Sequence, residues 1–298
     1  HGVVNGCTIV PGRFGEAQRH FTRALELSEG LTDVNVRRDI LGALGNLHNK
    51  NGEYIQASGY LEEAIRLSKQ SGERKAELDY TRLLSHAMAA QGKRSIALSY
   101  LKEVEALAQG PSDPFMETEM WKSRGLVHFL LREWDEALEC TEKALEFAKE
   151  YHFPYEMAVN SHNIGDIQVR RGNFKKAFTS LHYSYEVSRE HGFTKLEMID
   201  MSLLGYIDAV RFGRTEGLEK IQQGIRFAQE KQYIWDLVQS KYFLGRAYFE
   251  LERYEEARGA LQEAIHLGKT SGNVMYVEDS EVLLRQIDEI LSEPTSVD

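Results

Sequence analysis

The chain has 298 residues, 42% apolar and 28% charged with only five prolines, so it carries ample material for a large core, which argues against disorder. Acids outnumber bases 46 to 36, which opposes a sequence-independent grip on phosphate backbones and makes nucleic acid an unsuitable partner. Cys7 and Cys140 provide neither a disulfide framework nor a zinc spacing, and no apolar run reaches the roughly 18–20 residues of a membrane span. The expected setting is therefore cytoplasmic and reducing, with no membrane contact.

In chain order, residues 1–10 hold two glycines and the β-branched Val3, Val4, Thr8, Ile9 and Val10, a poor helix former. Because the chain opens at His1, the expectation is an excised piece or a tag remnant with an incomplete first hairpin. Either upstream sequence is missing or this end contacts another copy of the chain. From Ala17 onward a period of 40 governs the sequence: Ala17, Ala57, Ala97, Ala137, Ala177, Gly217 and Ala257 recur without insertion or deletion. Four residues on come Phe21, Leu61, Leu101, Thr141, Leu181, Ile221 and Leu261, and three further Ala24, Ala64, Val104, Ala144, Ser184, Gly224 and Ala264. This i, i+4, i+7 spacing defines one face of a helix, B. Large rings precede it at Phe14, Tyr54, Trp134, Phe174 and Tyr254, with Arg94 and Arg214 as exceptions.

Twelve residues before each small position of B lies a second small series, Gly45, Ser85, Gly125, Gly165, Gly205 and Gly245, which belongs to a helix A. Gly52, Gly92, Gly172 and Gly213 separate A from B and suit left-handed helix ends. Gly30, Gly72, Gly110, Gly192 and Gly272, with His152 and Gln232, separate successive units, and all five prolines fall in connections or the tail. The spacing predicts an all-α chain with A over 34–50 and B over 53–70, other units following by adding 40. Small residues on both helices let them approach to about 8 Å. The expected units lie near 1–30, 31–72, 73–112, 113–152, 153–192, 193–232 and 233–272, forming one array. A capping helix follows at 273–292, its Val282, Leu283, Leu284, Ile287 and Ile290 turned inward, then a disordered tail at 293–298.

Leu244-Gly245-x2-Tyr248 followed by Ala257-x3-Leu261-x2-Ala264, with Trp121-x3-Gly125-x2-His128 beside it, resembles the tetratricopeptide repeat family. The period of 40 and the segment Leu44-Gly45-Asn46 are similar to the long-helix subgroup found in kinesin light chains, receptor-independent G-protein modulators and maltose-regulator-type signalling proteins. The resemblance implies a right-handed α-solenoid of stacked antiparallel hairpins, with helices A on the concave side and groove positions three before and one after the small residue of A. Those positions, with others further along A, give Asn46, Asn49, Lys50, Arg82, His86, Lys122, His162, Asp166, Tyr206, Tyr242 and Arg246 as peptide-groove candidates. Leu126, Ser202, Phe129 and Arg170 lie on the same strip.

Arg, Lys, His, Asn and Tyr supply donors to a peptide backbone or carboxylate and flat rings for apolar side chains, which suits an acidic peptide. The expected function is a scaffold holding a protein or peptide in the groove. The alternative is a sensor domain of a larger signalling protein that binds a small molecule or a neighbouring domain. The Lys/Asn, Asn, Lys/Arg pattern of chaperone-tail binders is not supplied. Tyr151, Phe153, Tyr155, Phe193, Tyr233 and Trp235 are expected to fill space between units. No HExxH, G-x-S-x-G, G-x-G-x-x-G or phosphate loop occurs, so neither catalysis nor a cofactor or metal is expected.

Overall fold

The computed structural model describes residues 14–28, 33–108 and 114–292. The expectations placed on residues 1–10, Pro11, Gly30, Gly110, Pro111, Pro294 and the tail lie outside these. The described residues form α1 (Phe14–Ser28), α2 (Val34–Asn51), α3 (Tyr54–Ser71), α4 (Arg74–Ala90), α5 (Arg94–Leu107), α6 (Pro114–Leu130), α7 (Trp134–Glu150), α8 (Pro154–Arg170), α9 (Phe174–His191), α10 (Thr194–Phe212), α11 (Thr215–Lys231), α12 (Ile234–Glu250), α13 (Tyr254–Ser271) and α14 (Val274–Ser292), with no strand among them. The even-numbered helices are type A and the odd-numbered type B. Pro114 and Pro154 open α6 and α8, where a missing N–H breaks no helical bond.

The turns follow from backbone geometry. Gly52 and Gly213 end α2 and α10 in the left-handed region, at φ of 82° and 63°. Where no glycine stands, Arg132, His152, Gln232 and Glu252 take positive φ themselves.

Across the A–B turn a side-chain clasp recurs at a spacing of five residues. His48 Nδ1 meets Glu53, His128 Nδ1 lies 2.5 Å from Glu133 Oε2, and Asn173 Nδ2 donates to Gln168 Oε1 at 2.9 Å. Arg253 instead stacks on Tyr248 at 4.6 Å. The acids Glu53 and Glu133 thus bind histidine; neither makes a side-chain cap bond.

Close approach within hairpins is real, and its geometry is more specific than a small-to-small meeting. A Cβ on Gly45, Gly165 or Gly245 would come within 2.5, 2.5 and 2.7 Å of Leu61, Leu181 and Leu261 Cγ. Glycine on A therefore seats the leucine of B, a turn beyond the alanine. At Gly205 a Cβ would instead strike Gly217 carbonyl oxygen at 2.6 Å, so there the backbones themselves touch. Each arginine that stands where a ring is expected has an ion-pair partner: Arg94 with Glu133 and Arg214 with Asp208 at 3.8 Å.

The chain divides into two compact units. Unit 1 runs to Glu156 and includes Glu230–Tyr233; unit 2 comprises Met157–Gln229 and the residues from Ile234 on. Within each, helices A pack on the helices A of neighbouring hairpins (α2 on α4, α4 on α6; α10 on α12, α12 on α14), and no comparable B-to-B contact occurs among the described residues. The A side is consequently the inner side of each unit. α14 departs from the expected cap: Ile287 is buried and Leu283 and Leu284 half-buried, but Val282 and Ile290 are exposed. They fall on the stripe turned away from α12 and α13, the helices that pack against α14.

Candidate functional site

In unit 1 the inner wall is a ladder of charges from α4, α6 and the start of α8. Arg82 Nη1 donates to Ser123 Oγ at 3.2 Å and lies 3.6 Å from Glu119 Oε2. Lys122 pairs with Glu119 and, at 2.7 Å, with Glu156 Oε2. Burial opposes the Lys122 ammonium, but the two carboxylates outweigh it and hold its pKa above the usual lysine value. His86 Nε2 shares Ser123 Oγ at 3.0 Å. Burial, reinforced by Arg82 and Lys122, pushes its pKa down to about 3, so this imidazole is neutral. Further along the wall, Asn49 Nδ2 donates to Leu83 O at 2.8 Å, Asn46 is half-buried and Lys50 exposed.

Unit 2 holds the larger cluster. His162 Nδ1 lies 2.7 Å from Asp200 Oδ1, whose Oδ2 accepts from Ser184 Oγ at 2.6 Å. Burial opposes charge on His162, but the bond to Asp200 and the nearby Asp166 and Asp236 outweigh it and raise its pKa. Lys195 Nζ lies 3.2 Å from Asp236. The aspartate stands between serine and imidazole, so His162 cannot take the Ser184 proton, and the group is no nucleophile with its base. No group of three or more His, Cys, Asp or Glu suited to a metal occurs among the described residues, and no described helix is long and apolar enough to cross a membrane.

At the centre of unit 2 is Arg170, its side chain 5% exposed. Nε donates to Asp166 Oδ1 at 3.0 Å and Nη1 to Asp279 Oδ2 at 3.1 Å, while Gln239 Nε2 binds the other Asp166 oxygen at 2.9 Å. The guanidinium lies 5.9, 5.8 and 4.9 Å from the rings of Tyr242, Phe243 and Tyr276. Despite its burial the guanidinium stays charged, held so by Asp166, the neighbouring tyrosines and Asp279. One side chain therefore links α8, α12 and α14. Arg246 stacks on Tyr206 at 5.3 Å on the same wall.

A family model described as the MalT-like TPR region matches residues 5–240, and a tetratricopeptide repeat model matches 238–272. The chain belongs to the MalT-like TPR family. No curated protein sequence matches it. Among solved structures it is similar to a Rap protein complexed with Competence and Sporulation Factor, at TM-score 0.74 and 15% identity over 87% of this chain and 71% of that one. It is also similar to NprR in complex with its cognate peptide NprX, at TM-score 0.57 and 18% identity over 84% and 75%. A signal-transduction ATPase with a tetratricopeptide repeat sensor from Pyrococcus horikoshii aligns at TM-score 0.53 and 15% identity, over 98% of this chain and 45% of that one. At these identities the similarity establishes the fold, a TPR solenoid of helical hairpins.

Within this MalT-like array the eleven candidate residues differ sharply in exposure. His86, His162, Asp166, Tyr206 and Tyr242 are buried, not open to a groove. The reason is that neighbouring A helices pack closely enough for their side chains to fill the inner side. Arg82 and Lys122 keep 16% and 18% of their side-chain surface, yet their charges already belong to Glu119 and Glu156. The wall of unit 1 is consequently balanced in charge, not cationic. Sequence reasoning missed Glu119, Glu156, Asp200 and Asp279, although acids at Asp39, Asp79, Glu119 and Asp279 stand at one repeat position, 40 apart or a multiple of it.

Two of the aromatic group, Tyr151 and Tyr155, depart from their expected role as filler, whereas Phe153, Phe193, Tyr233 and Trp235 are half-buried. Phe115, Tyr151 and Tyr155 are more than two-fifths exposed, while Phe153 packs edge-on against Phe115 with centroids 5.6 Å apart. The rings sit at helix ends, where two repeats join and no further helix covers them.

Proposed function

We propose that this chain is a protein-interaction scaffold that holds peptide or protein segments on the A-helix walls of its units, each wall by itself. The observation that carries the reading is the polar ladder joining one A helix to the next: Arg82 to Glu119, Lys122 to Glu156, His162 to Asp200. Fixed, fully partnered donors on adjacent helices form a preorganised surface, which lowers the ordering cost of a bound peptide. In this reading Asn46, Asn49, Lys50, Arg82, Lys122 and Arg246 meet the partner. His86, His162, Asp166, Tyr206 and Tyr242 hold them in place. The Rap protein and NprR, similar in fold, were each solved with a peptide or factor bound. No catalytic role is assigned.

The experiment is selection of a random peptide library against the full chain, followed by affinity measurement on Arg82→Gln, Arg246→Gln and wild type. Selected peptides should bind at least tenfold more weakly to the variants. Equal binding to all three would remove the wall from consideration.

A second reading, a sensor segment of a larger signalling protein, is supported by the MalT-like match and by the archaeal ATPase, of which 45% aligns with this chain. It requires a small molecule that raises the melting temperature in the absence of any peptide.

A further inference from the structure

α14 is attached differently from every other A helix. In complete hairpins the small position of A meets its own B helix; on α14 the equivalent position, 40 after Gly245, is Arg285, and it is exposed. The outward stripe of Val282, Arg285 and Glu289 is exposed. What holds α14, besides contact with α12 and α13, is a pair of anchors one turn apart on its inner face. Tyr276 is fully buried between Trp235 and Tyr242, at centroid distances of 5.3 and 5.4 Å. Asp279 receives Arg170 from α8, 109 residues away in sequence. A buried arginine shared by two aspartates and three rings is a costly way to fill a core that leucine fills elsewhere in the chain. It is, however, a good receptor for a helix that carries an aromatic ring and a carboxylate at i and i+3.

We propose that α14 is an intramolecular occupant of a binding site built by Arg170, Trp235, Tyr242 and Phe243, and that the site's external partner is an amphipathic helix of the same chemistry, Tyr-x-x-Asp. Release of α14 opens the inner wall of unit 2; the Arg170–Asp279 contact keeps it shut. This rests on the scaffold reading above and names the partner for one of its two walls.

The test uses the full chain and a labelled synthetic peptide copying residues 274–292, with a second peptide in which the tyrosine and aspartate equivalent to Tyr276 and Asp279 are alanine and asparagine. Asp279→Asn weakens the internal anchor and leaves the receptor intact, so it should bind the first peptide at least tenfold more tightly than wild type does and should ignore the second. Adding Arg170→Met to that variant should abolish binding. Unchanged affinity in Asp279→Asn would overturn the proposal. Hydrogen exchange on the wild-type chain gives an answer independent of any variant's folding: α14 amides should exchange at least tenfold faster than those of α12 and α13. Equal protection in the three helices would also overturn it. That result would leave the scaffold reading standing if library peptides still bind through Arg82 and Arg246.

Discussion

The two units share one hairpin plan and set their buried histidines in opposite electrostatic surroundings. In unit 1 a buried histidine, His86, sits among cations and is neutral; in unit 2 burial opposes charge on His162, but Asp200, Asp166 and Asp236 outweigh it and raise its pKa. In unit 1 Arg82 and Lys122, balanced by Glu119 and Glu156, keep 16% and 18% of their side-chain surface, whereas unit 2 buries Arg170 with Asp166 almost completely. The small-residue period sets how closely helices approach and leaves the wall side chains free to differ. The hairpin plan is common to both units, and the chemistry of the wall is individual to each.

The largest test of this contrast removes the central cation of each wall. Arg170→Ala strands Asp166 and Asp279 without their cation and should cost about 3–5 kcal/mol in urea unfolding. Lys122→Ala strands the buried Glu156 but leaves Glu119, 17% exposed, still beside Arg82, and should cost less, about 1–3 kcal/mol. Equal losses would mean that the two walls do not differ in how deeply their charges are buried.

pH should separate the units in opposite directions. His162 has a raised folded pKa, so its contribution is complete below the unfolded value of about 6.5 and is lost as pH rises through the folded value. His86, lowered to about 3, behaves in reverse. Its contribution is complete above about 6.5 and declines as pH falls, because the unfolded chain takes the proton first. Hydrogen exchange corrected for intrinsic rates should show α8 losing protection above about pH 6.5 and α4 below it. His162→Gln should flatten the first trend and His86→Gln the second. Parallel trends in both helices would contradict the assigned charge states.

Hairpin geometry offers the control, because here the units should agree. A methyl on Gly45 in unit 1 or on Gly245 in unit 2 meets a fully buried leucine, so Gly45→Ala and Gly245→Ala should each cost about 1–3 kcal/mol. A large disparity in thermal unfolding would show that one unit tolerates a wider hairpin.

Which parts of this were legible in the sequence follows from the same division. Helix spans, hairpin turns and the close approach at Gly45, Gly165 and Gly245 depend on local periodicity, and residues 40 apart report them directly. Wall contacts depend on how tightly neighbouring A helices pack, which no single repeat encodes. Positions named for a groove, such as Asp166 and Tyr242, therefore turn out to be buried. Arg170 and Asp279 meet across 109 residues, a separation unrelated to the repeat, so no periodic reading could pair them. Val282 and Ile290 are apolar by type yet exposed, because the burial of a residue on α14 depends on which helices pack beside it and not on its side chain alone.

The smallest expected effect probes the opposite face of the hairpins. Gly59 on α3 and Gly259 on α13 are exposed mid-helix glycines, and a Cβ at either would have no atom within 4 Å. Their backbone is helical, so alanine fits without strain and removes conformational freedom from the unfolded chain. Gly59→Ala and Gly259→Ala should each stabilise by about 0.5–1 kcal/mol in urea unfolding. The same substitution thus reverses sign between the inner seat of a leucine on A and the free surface of B. Destabilisation at either position would mean that the outer face is covered by something, and the B helices would then join the A wall as a place where a partner binds.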